Sequence, residues 1–205
     1  MNVLMVHGLW RTTLSLRRLG RALAREGHRP EYFAYRPWAE SYAAMRDRLG
    51  ERIAAIRAEG EPYALIGHSI GGVLLRDAMA RSGGRRPEAL ILLAAPATAP
   101  RAARLAWRVP IFRWLARDAG RQLAEWHELA SIPAPECPCL VIAGTRGPRA
   151  RWLPLGDAPN DGILSVAEAS VSATARVATV RATHTFIMNH PDARALIRDA
   201  LAAPR

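Results

Sequence analysis

The sequence contains no lysine, so all 29 of its basic residues are arginine. It has only two cysteines, Cys137 and Cys139, with a single proline between them. A disulfide across so short a gap would be strained, and two thiols without matching histidines nearby are too few for a structural zinc site. The sequence therefore predicts no metal site. It favours a reducing compartment, with both cysteines as small apolar filler before a strand.

Long hydrophobic runs are also missing. No stretch reaches the roughly 18 consecutive apolar residues that a membrane-spanning helix requires. The apolar start at residues 1–6 runs into His7-Gly8, which makes it too short for the core of a secretion signal, and no small-residue cleavage site follows. These absences predict a cytoplasmic protein. Half of the 205 residues are hydrophobic, and we predict one globular domain over residues 1–205.

The net charge of +11 raises the question of nucleic-acid binding. The arginines, however, are spread along the whole chain and no nucleic-acid motif accompanies them. Arginine and alanine are both abundant, which is typical of a codon-composition bias. We therefore predict no nucleic-acid partner.

Short apolar runs alternate with helical patterns along the chain. We predict strands at residues 3–6, 31–35, 63–66, 89–94, 139–143 and 176–180. Helical spacing of apolar residues predicts helices between the strands, among them one over residues 41–59 and one that follows Gly72. Strands without clean alternation, each followed by a helix, predict an α/β fold with a mostly parallel sheet of about six strands and helices on both faces.

The alternation breaks between the fourth and fifth strands. Residues 96–138 contain three tryptophans interleaved with arginines and aliphatic residues. We predict one or two amphipathic helices there, forming a helical, cap-like insertion within the domain. A cap over the active site and a peripheral membrane contact through residues 101–121 both fit this composition, because basic faces attract anionic lipids and tryptophan suits the interface.

The motif Gly67-x-Ser69-x-Gly71 fits the nucleophile-elbow pattern. It places a serine in a strained turn between a strand and a helix, and glycines two positions before and after it let the helix pass close to the strand. An apolar strand precedes this motif and a helix follows it. Ser69 is therefore the candidate nucleophile.

A serine hydroxyl needs a base, and the base needs a group to orient it. His184 is the candidate base because it follows the sixth strand, in a loop that can reach the carboxyl edge of the sheet. His190, next to Pro191, is interpreted as a helix cap. His127 falls inside the predicted insertion.

Three acidic residues lie between the fifth and sixth strands. Asp161, in an Asn-Asp-Gly turn, is the preferred partner of the histidine. Asp157 stays open as the alternative. We expect Glu168 on a short helix after Val166, facing solvent.

The oxyanion of a tetrahedral intermediate needs preorganised donors, and losing one costs about 3 kcal/mol. The amide groups of Ile70, directly after the nucleophile, and of Leu9, after Gly8 in the loop that follows the first strand, are the candidates. We expect His7 to shape that loop by hydrogen bonding. Trp10 would bind substrate as a wall of the acyl pocket, or it is a core aromatic residue.

Taken together, His7-Gly8, the run from Gly67 to Gly72, the turn 160–162 and His184 resemble small bacterial lipases and esterases of the α/β-hydrolase superfamily. This resemblance implies a minimal α/β-hydrolase fold, a triad of Ser69, Asp161 and His184, and oxyanion donors at Leu9 and Ile70. It implies hydrolysis of a small-molecule ester or a lipid through an acyl-enzyme, without metal or organic cofactor. The chain departs from the smallest lipases in its long connection after the fourth strand.

The same triad serves thioesterases, amidases and acyltransferases, so these activities remain open. A non-catalytic binding protein with this fold is the alternative from another class. Such proteins usually lack one member of the triad, whereas this sequence supplies all three.

Overall fold

The computed structural model describes residues 1–110, 129 and 131–202 of the chain. Six strands form one parallel sheet in the order β2-β1-β3-β4-β5-β6. They are β1 (Asn2–Val6), β2 (Arg29–Phe33), β3 (Tyr63–His68), β4 (Ala89–Leu93), β5 (Cys139–Gly144) and β6 (Arg176–Val180). The predicted fold class, an α/β fold with a six-stranded parallel sheet, is confirmed.

Six α-helices lie wholly within the described residues: α1 (Arg17–Arg25), α2 (Tyr42–Ala58), α3 (Ile70–Arg81), α4 (Arg101–Ala106), α5 (Val166–Ala169) and α6 (Pro191–Ala202). Short 3₁₀ turns precede α1 and α6. The Ser41 hydroxyl caps α2 by accepting from the Ala44 amide at 3.2 Å. None of the described helices is long and apolar enough to span a bilayer.

Both faces of the sheet are buried, which explains the continuous apolar runs of β1, β3 and β4. Along β1, Leu4 and Val6 belong to the core layer that holds α2 and α3. Val3 and Met5 belong to the opposite layer, against α1 and α6. This two-sided packing fixes the sheet, and its carboxyl edge presents the loops that carry the candidate site.

The second strand differs from its prediction. It begins two residues earlier than expected because residues 29–33 pair with residues 2–6 of β1. Pro30, which has no amide hydrogen, is accepted there because β2 is an edge strand. Tyr35 then falls beyond the strand, in the loop at the carboxyl edge.

Only part of the predicted insertion can be compared with the structure. Residues 101–106 form α4, with Trp107 as its C-terminal cap. Residues 111–128 and 130 lie outside the described residues, and with them Trp114, Trp126 and His127. The domain boundaries 1–205 and 96–138 stay predictions.

Candidate active site

Ser69 occupies a sharp turn between β3 and α3. Its backbone has φ 54° and ψ −127°, a region that costs a non-glycine residue free energy and persists only where the surroundings enforce it. The Ser69 amide donates to the carbonyl of Leu93, at the end of the neighbouring strand β4, over 2.9 Å. The hydroxyl is thereby held at the carboxyl edge of the sheet.

Two glycines make this turn sterically feasible. A Cβ at Gly67 would lie 2.4 Å from the Cα of Gly72, and one at Gly71 would lie 2.4 Å from the carbonyl oxygen of His7. Both contacts are with backbone atoms, which have little room to yield. Gly67 and Gly71 therefore let α3 begin directly against β1 and β3.

The structure brings Ser69, His184 and Asp161 into one chain of contacts. The Ser69 hydroxyl and Nε2 of His184 are 3.0 Å apart. Nδ1 of His184 is 2.8 Å from Oδ2 of Asp161. All three side chains are buried. The arrangement meets the geometric requirement for a nucleophile, a base and a group that orients the base.

The Asp161 carboxylate is fixed by the turn that follows it. Its Oδ1 accepts from the amides of Ile163 at 2.9 Å and Leu164 at 2.7 Å. This leaves Oδ2 for His184. The Asp161 carbonyl also accepts from the His184 amide at 3.0 Å, so backbone and side chain both tie the acid loop to the histidine loop.

Asn160 anchors the same turn from within. It is fully buried, and its Nδ2 donates to the carbonyls of Pro148 at 3.0 Å and Ala158 at 2.9 Å. Its Oδ1 accepts from the Gly162 amide at 2.9 Å. Every polar atom of the side chain is used to hold the loop that carries Asp161.

His68 connects the nucleophile turn to the histidine loop. Its Nε2–H donates to the carbonyl oxygen of His184 over 2.9 Å, which leaves Nδ1 unprotonated. Burial, reinforced by the nearby imidazole of His184, lowers the pKa of His68 to about 3. The ring is therefore neutral, and its Nδ1 has no hydrogen-bond partner among the described residues.

Arg11 makes a second connection to the histidine loop. Its Nη2 donates to the carbonyl of Thr185 at 2.8 Å, and its guanidinium lies 5.5 Å from the ring centroid of Phe186. Two consecutive carbonyls of the histidine loop thus accept from the end of β3 and from the loop after β1.

The loop after β1 lies against the nucleophile turn. A Cβ at Gly8 would come within 3.2 Å of the Ser69 Cβ. Within the described ranges, the amides of Leu9 and Ile70 donate no hydrogen bond. Both donors are therefore available for an oxyanion, and that role stays a prediction.

His7 shapes this loop, as expected. Its Nδ1–H donates to the Gly8 carbonyl at 2.9 Å, and its ring stacks on Tyr35 with centroids 4.1 Å apart. The Tyr35 hydroxyl donates to the His7 carbonyl at 2.7 Å. Burial lowers the pKa of His7. The loop is held by a neutral ring, and His7 does not contact Ser69 or Asp161 by hydrogen bonding.

Trp10 is not a core residue, because its side chain is 49% exposed. Its backbone has φ 53°, and it lines an open groove together with Leu14 and Phe186. The structure places it at the rim of the site, where contact with substrate stays a prediction.

The remaining candidates do not contact the site. Asp157 is exposed and pairs with Arg151 at 3.4 Å. His190 precedes α6, and its Nδ1 accepts from the Asp192 amide at 3.3 Å, which fits a cap. Glu168 does not simply face solvent as expected: its carboxylate accepts from the Ser165 amide and hydroxyl and from the Arg101 amide. It has this role because α5 begins with a capping box.

The two cysteines are free and partly buried at the start of β5. Burial raises the pKa of Cys137 to about 11 and that of Cys139 to about 12. Both thiols stay protonated and pack against the core, as expected of filler residues. Within the described parts of the chain, no three His, Cys, Asp or Glu side chains are grouped to hold a metal ion.

Sequence reasoning missed the structural roles of His68, Arg11, Tyr35 and Asn160. Two of them adjoin recognised motifs, since His68 precedes the nucleophile and Asn160 precedes the acid. His68 bonds to a carbonyl of a distant loop, and Asn160 bonds to backbone groups of its own connection after β5. No sequence pattern marks such partners. Tyr35 was placed in a strand, and its hydroxyl reaches His7 only because the strand ends two residues earlier.

Comparison with known proteins identifies the family of the chain. The chain belongs to the alpha/beta hydrolase family, whose model matches residues 3–204. A search among curated proteins finds no significant match.

Several solved structures share the fold. The mature lipase of Bacillus licheniformis superposes with a TM-score of 0.78 at 17% identity, over 98% of this chain and 92% of that chain. An esterase from Exiguobacterium antarcticum gives a TM-score of 0.70 at 14% identity, over 98% and 92%. The thioesterase domain NocB of the nocardicin cluster gives 0.66 at 20% identity, over 98% and 94%. The recognised similarity to lipases and esterases of the superfamily is confirmed.

Proposed function

We propose that the protein is a serine hydrolase of carboxylic esters that works through an acyl-enzyme. The observation that carries the proposal is the continuous chain from the Ser69 hydroxyl through His184 to Asp161, with contacts of 3.0 and 2.8 Å. The lipase and esterase among its structural neighbours support the choice of an ester substrate.

The hydrogen bonds define the proton transfer. Because Nδ1–H of His184 donates to Asp161, the lone pair of Nε2 faces the Ser69 hydroxyl and can take its proton. Ser69 Oγ then attacks the acyl carbonyl, and the oxyanion accepts from the amides of Leu9 and Ile70. When the ester bond breaks, the alcohol leaves with the proton held by His184.

Deacylation repeats the sequence with water. His184 Nε2 takes a proton from water, the hydroxide attacks the acyl-enzyme, and the proton returns to Ser69 as the acid leaves. Asp161 orients the imidazole and stabilises its charged form throughout. No step in this scheme requires a cofactor.

A thioester substrate is the second candidate, supported by the thioesterase domain among the neighbours. The same steps apply, with a thiol as the leaving group. Amide hydrolysis and acyl transfer would use the same three residues.

A fluorophosphonate probe tests the nucleophile directly. We expect labelling of the wild type, none of Ser69→Ala, and unchanged labelling of the control Ser170→Ala, whose exposed hydroxyl donates to the Val166 carbonyl. Labelling of Ser69→Ala would overturn the assignment. An unlabelled wild type would favour a non-catalytic binding protein.

Aryl esters of increasing acyl length, compared with the corresponding thioesters, then define the substrate. Turnover of the esters with acyl length dependence supports the proposal. Turnover of the thioesters alone would replace it with the second candidate.

A further inference from the structure

Exposed apolar side chains are concentrated on one side of the molecule. Among the described residues, nine large apolar side chains are exposed, and eight of them lie in segments that leave the carboxyl ends of strands. They include Trp10 and Leu14 after β1, Trp38 after β2, Trp152 after β5 and Phe186 after β6. The ninth, Val177, lies within β6. A protein surface normally scatters such residues singly, so this concentration calls for a partner.

Charged residues are also distributed unequally between the two edges of the sheet. We define the carboxyl-edge surface as residues 7–16, 34–41, 94–110, 145–165 and 181–190, which contain nine arginines and three acidic residues. The described connections at the opposite edge, 26–28, 59–62, 82–88, 131–138 and 170–175, contain two arginines and five glutamates. The molecule is therefore basic around the nucleophile and acidic at the far edge.

The acidic side chains of the carboxyl-edge surface do not neutralise it. Glu40 pairs with Arg48 and Asp157 pairs with Arg151. Asp161 is buried against His184. Among the described residues, Arg151 is the only one of these nine arginines that pairs with a carboxylate, so most of them can contact an external anion.

Apolar and basic side chains meet in a groove formed by loops that also carry candidate site residues. Trp10, Leu14 and Phe186, which are 49%, 62% and 60% exposed, line one groove of about 410 Å³ together with Arg11 and Arg18. Trp10 directly follows Leu9, and Phe186 lies two residues after His184. A partner that covers these side chains would therefore reach the entrance of the candidate active site.

We propose that the carboxyl-edge surface docks on an anionic lipid bilayer. Trp10, Leu14 and Phe186 enter the interfacial region, and the surrounding arginines contact the headgroups. An anionic bilayer accounts for both the exposed apolar side chains and the arginines beside them. An acidic protein surface would account for the arginines alone, and a neutral bilayer for the apolar side chains alone. If the proposed ester hydrolysis is correct, a lipid of this bilayer is the substrate. The docking itself does not depend on catalysis.

Vesicle co-sedimentation of Ser69→Ala tests the docking without consuming the lipid. We expect binding to vesicles of phosphatidylcholine with phosphatidylglycerol, weak binding to phosphatidylcholine alone, and a loss of binding as salt is raised. Absence of binding to the anionic vesicles at low salt overturns the proposal. Because Ser69→Ala is used, this failure is distinct from failure of the proposed function, which shows as an unlabelled wild type.

Two matched pairs, made in the Ser69→Ala background, locate the contact. Leu14→Asp should weaken binding by about tenfold or more, while Val177→Asp, with the same added charge on β6, changes it less than about twofold. Arg18→Gln should weaken binding by about fivefold, while Arg25→Gln, at the other end of α1, leaves it nearly unchanged.

Equal effects within the two pairs would show that net charge alone drives binding, which overturns the proposed orientation. A strong effect of Arg18→Gln with none of Leu14→Asp would show that Leu14 does not contact the bilayer, which overturns insertion of the apolar side chains. Thermal unfolding of all four variants verifies that these exposed substitutions leave the fold intact.

Discussion

His68 and His184 are joined by a hydrogen bond in which the ring of the first donates to the backbone carbonyl of the second, over 2.9 Å. The donor is the residue directly before the nucleophile, and the acceptor belongs to the base. The bond therefore sets the distance between the turn that carries Ser69 and the loop that carries His184. His68 is a positioning residue in this arrangement, since it touches neither the Ser69 hydroxyl nor the imidazole of His184 by hydrogen bonding.

Removing this donor should misplace the base. We expect His68→Met to lower kcat by about 10- to 100-fold with little change in KM, because a displacement of about 1 Å in a catalytic group has costs of this order. His68→Gln, whose Nε2 can donate to the same carbonyl, should recover most of the rate. Steady-state kinetics on a soluble aryl ester measure both variants, and equal losses in the two would contradict the positioning role.

The buried His68 should also make the fold sensitive to acid. Its pKa is about 3 in the folded protein against 6.5 in the unfolded chain. Between these values the unfolded chain binds a proton that the folded protein does not, so the free energy of unfolding rises with pH and is lost as pH falls, by at most about 1.4 kcal/mol per pH unit.

Urea unfolding of the wild type and His68→Gln between about pH 7 and about pH 4 measures this dependence. The variant cannot titrate at this position, so its stability should fall less steeply with acid. Parallel curves for the two proteins would show that His68 is not the group responsible.

Asp161→Asn should abolish most of the activity while keeping the fold. The asparagine Oδ1 can still accept from Ile163 and Leu164, which turns Nδ2 toward Nδ1 of His184. This donor fixes the His184 proton on Nε2, where it can no longer accept from Ser69. We expect kcat to fall by a factor on the order of 10⁴.

Asp157→Asn is the matched control for the acid, because this exposed carboxylate pairs only with Arg151 among the described residues. Its kcat should equal that of the wild type. A loss in Asp157→Asn comparable to that in Asp161→Asn would assign the acid role to the wrong aspartate.

Gly71→Ala should destabilise the protein strongly. The added Cβ would lie 2.4 and 2.5 Å from the carbonyl oxygens of His7 and Val6, so α3 must move away from β1. We expect a loss of about 3 kcal/mol or more, as for overpacked cores. Gly50→Ala is the control: it lies in α2 with open space around it, and alanine there should stabilise by about 0.5–1 kcal/mol. Chemical denaturation measures both, and a neutral Gly71→Ala would refute the close approach.

The sequence predicts the structure best where neighbouring residues in the chain determine a residue's conformation or burial. The parallel sheet follows from apolar runs that are buried on both faces, and the nucleophile turn follows from glycines needed within five residues of one another. His184 and Asp161 could be chosen because chain order and the carboxyl edge of a parallel sheet leave few candidates. In each case a short pattern and the topology together restrict the answer.

The bonds that hold the site together were not predictable in this way. His68 and His184 are 116 positions apart, and the Arg11 side chain reaches Thr185 across 174 positions. Both acceptors are backbone carbonyls, which every residue possesses. Glu168 is mispredicted for two reasons. Its capping box with Ser165 is a local pattern that the expectation of a solvent-facing side chain ignores. Arg101 reaches its carboxylate only when the connection after β4 folds back onto α5.

The placement of the site in the sheet also determines when the protein becomes reactive during its own synthesis. Ser69 leaves the ribosome with the central strand β3, whereas His184 follows the edge strand β6, 115 positions later. Domains generally fold as units, and a chain that still lacks β6 has no His184 to accept a proton from Ser69. We therefore expect the proposed activity to arise only at the end of synthesis, when the last strand joins the sheet.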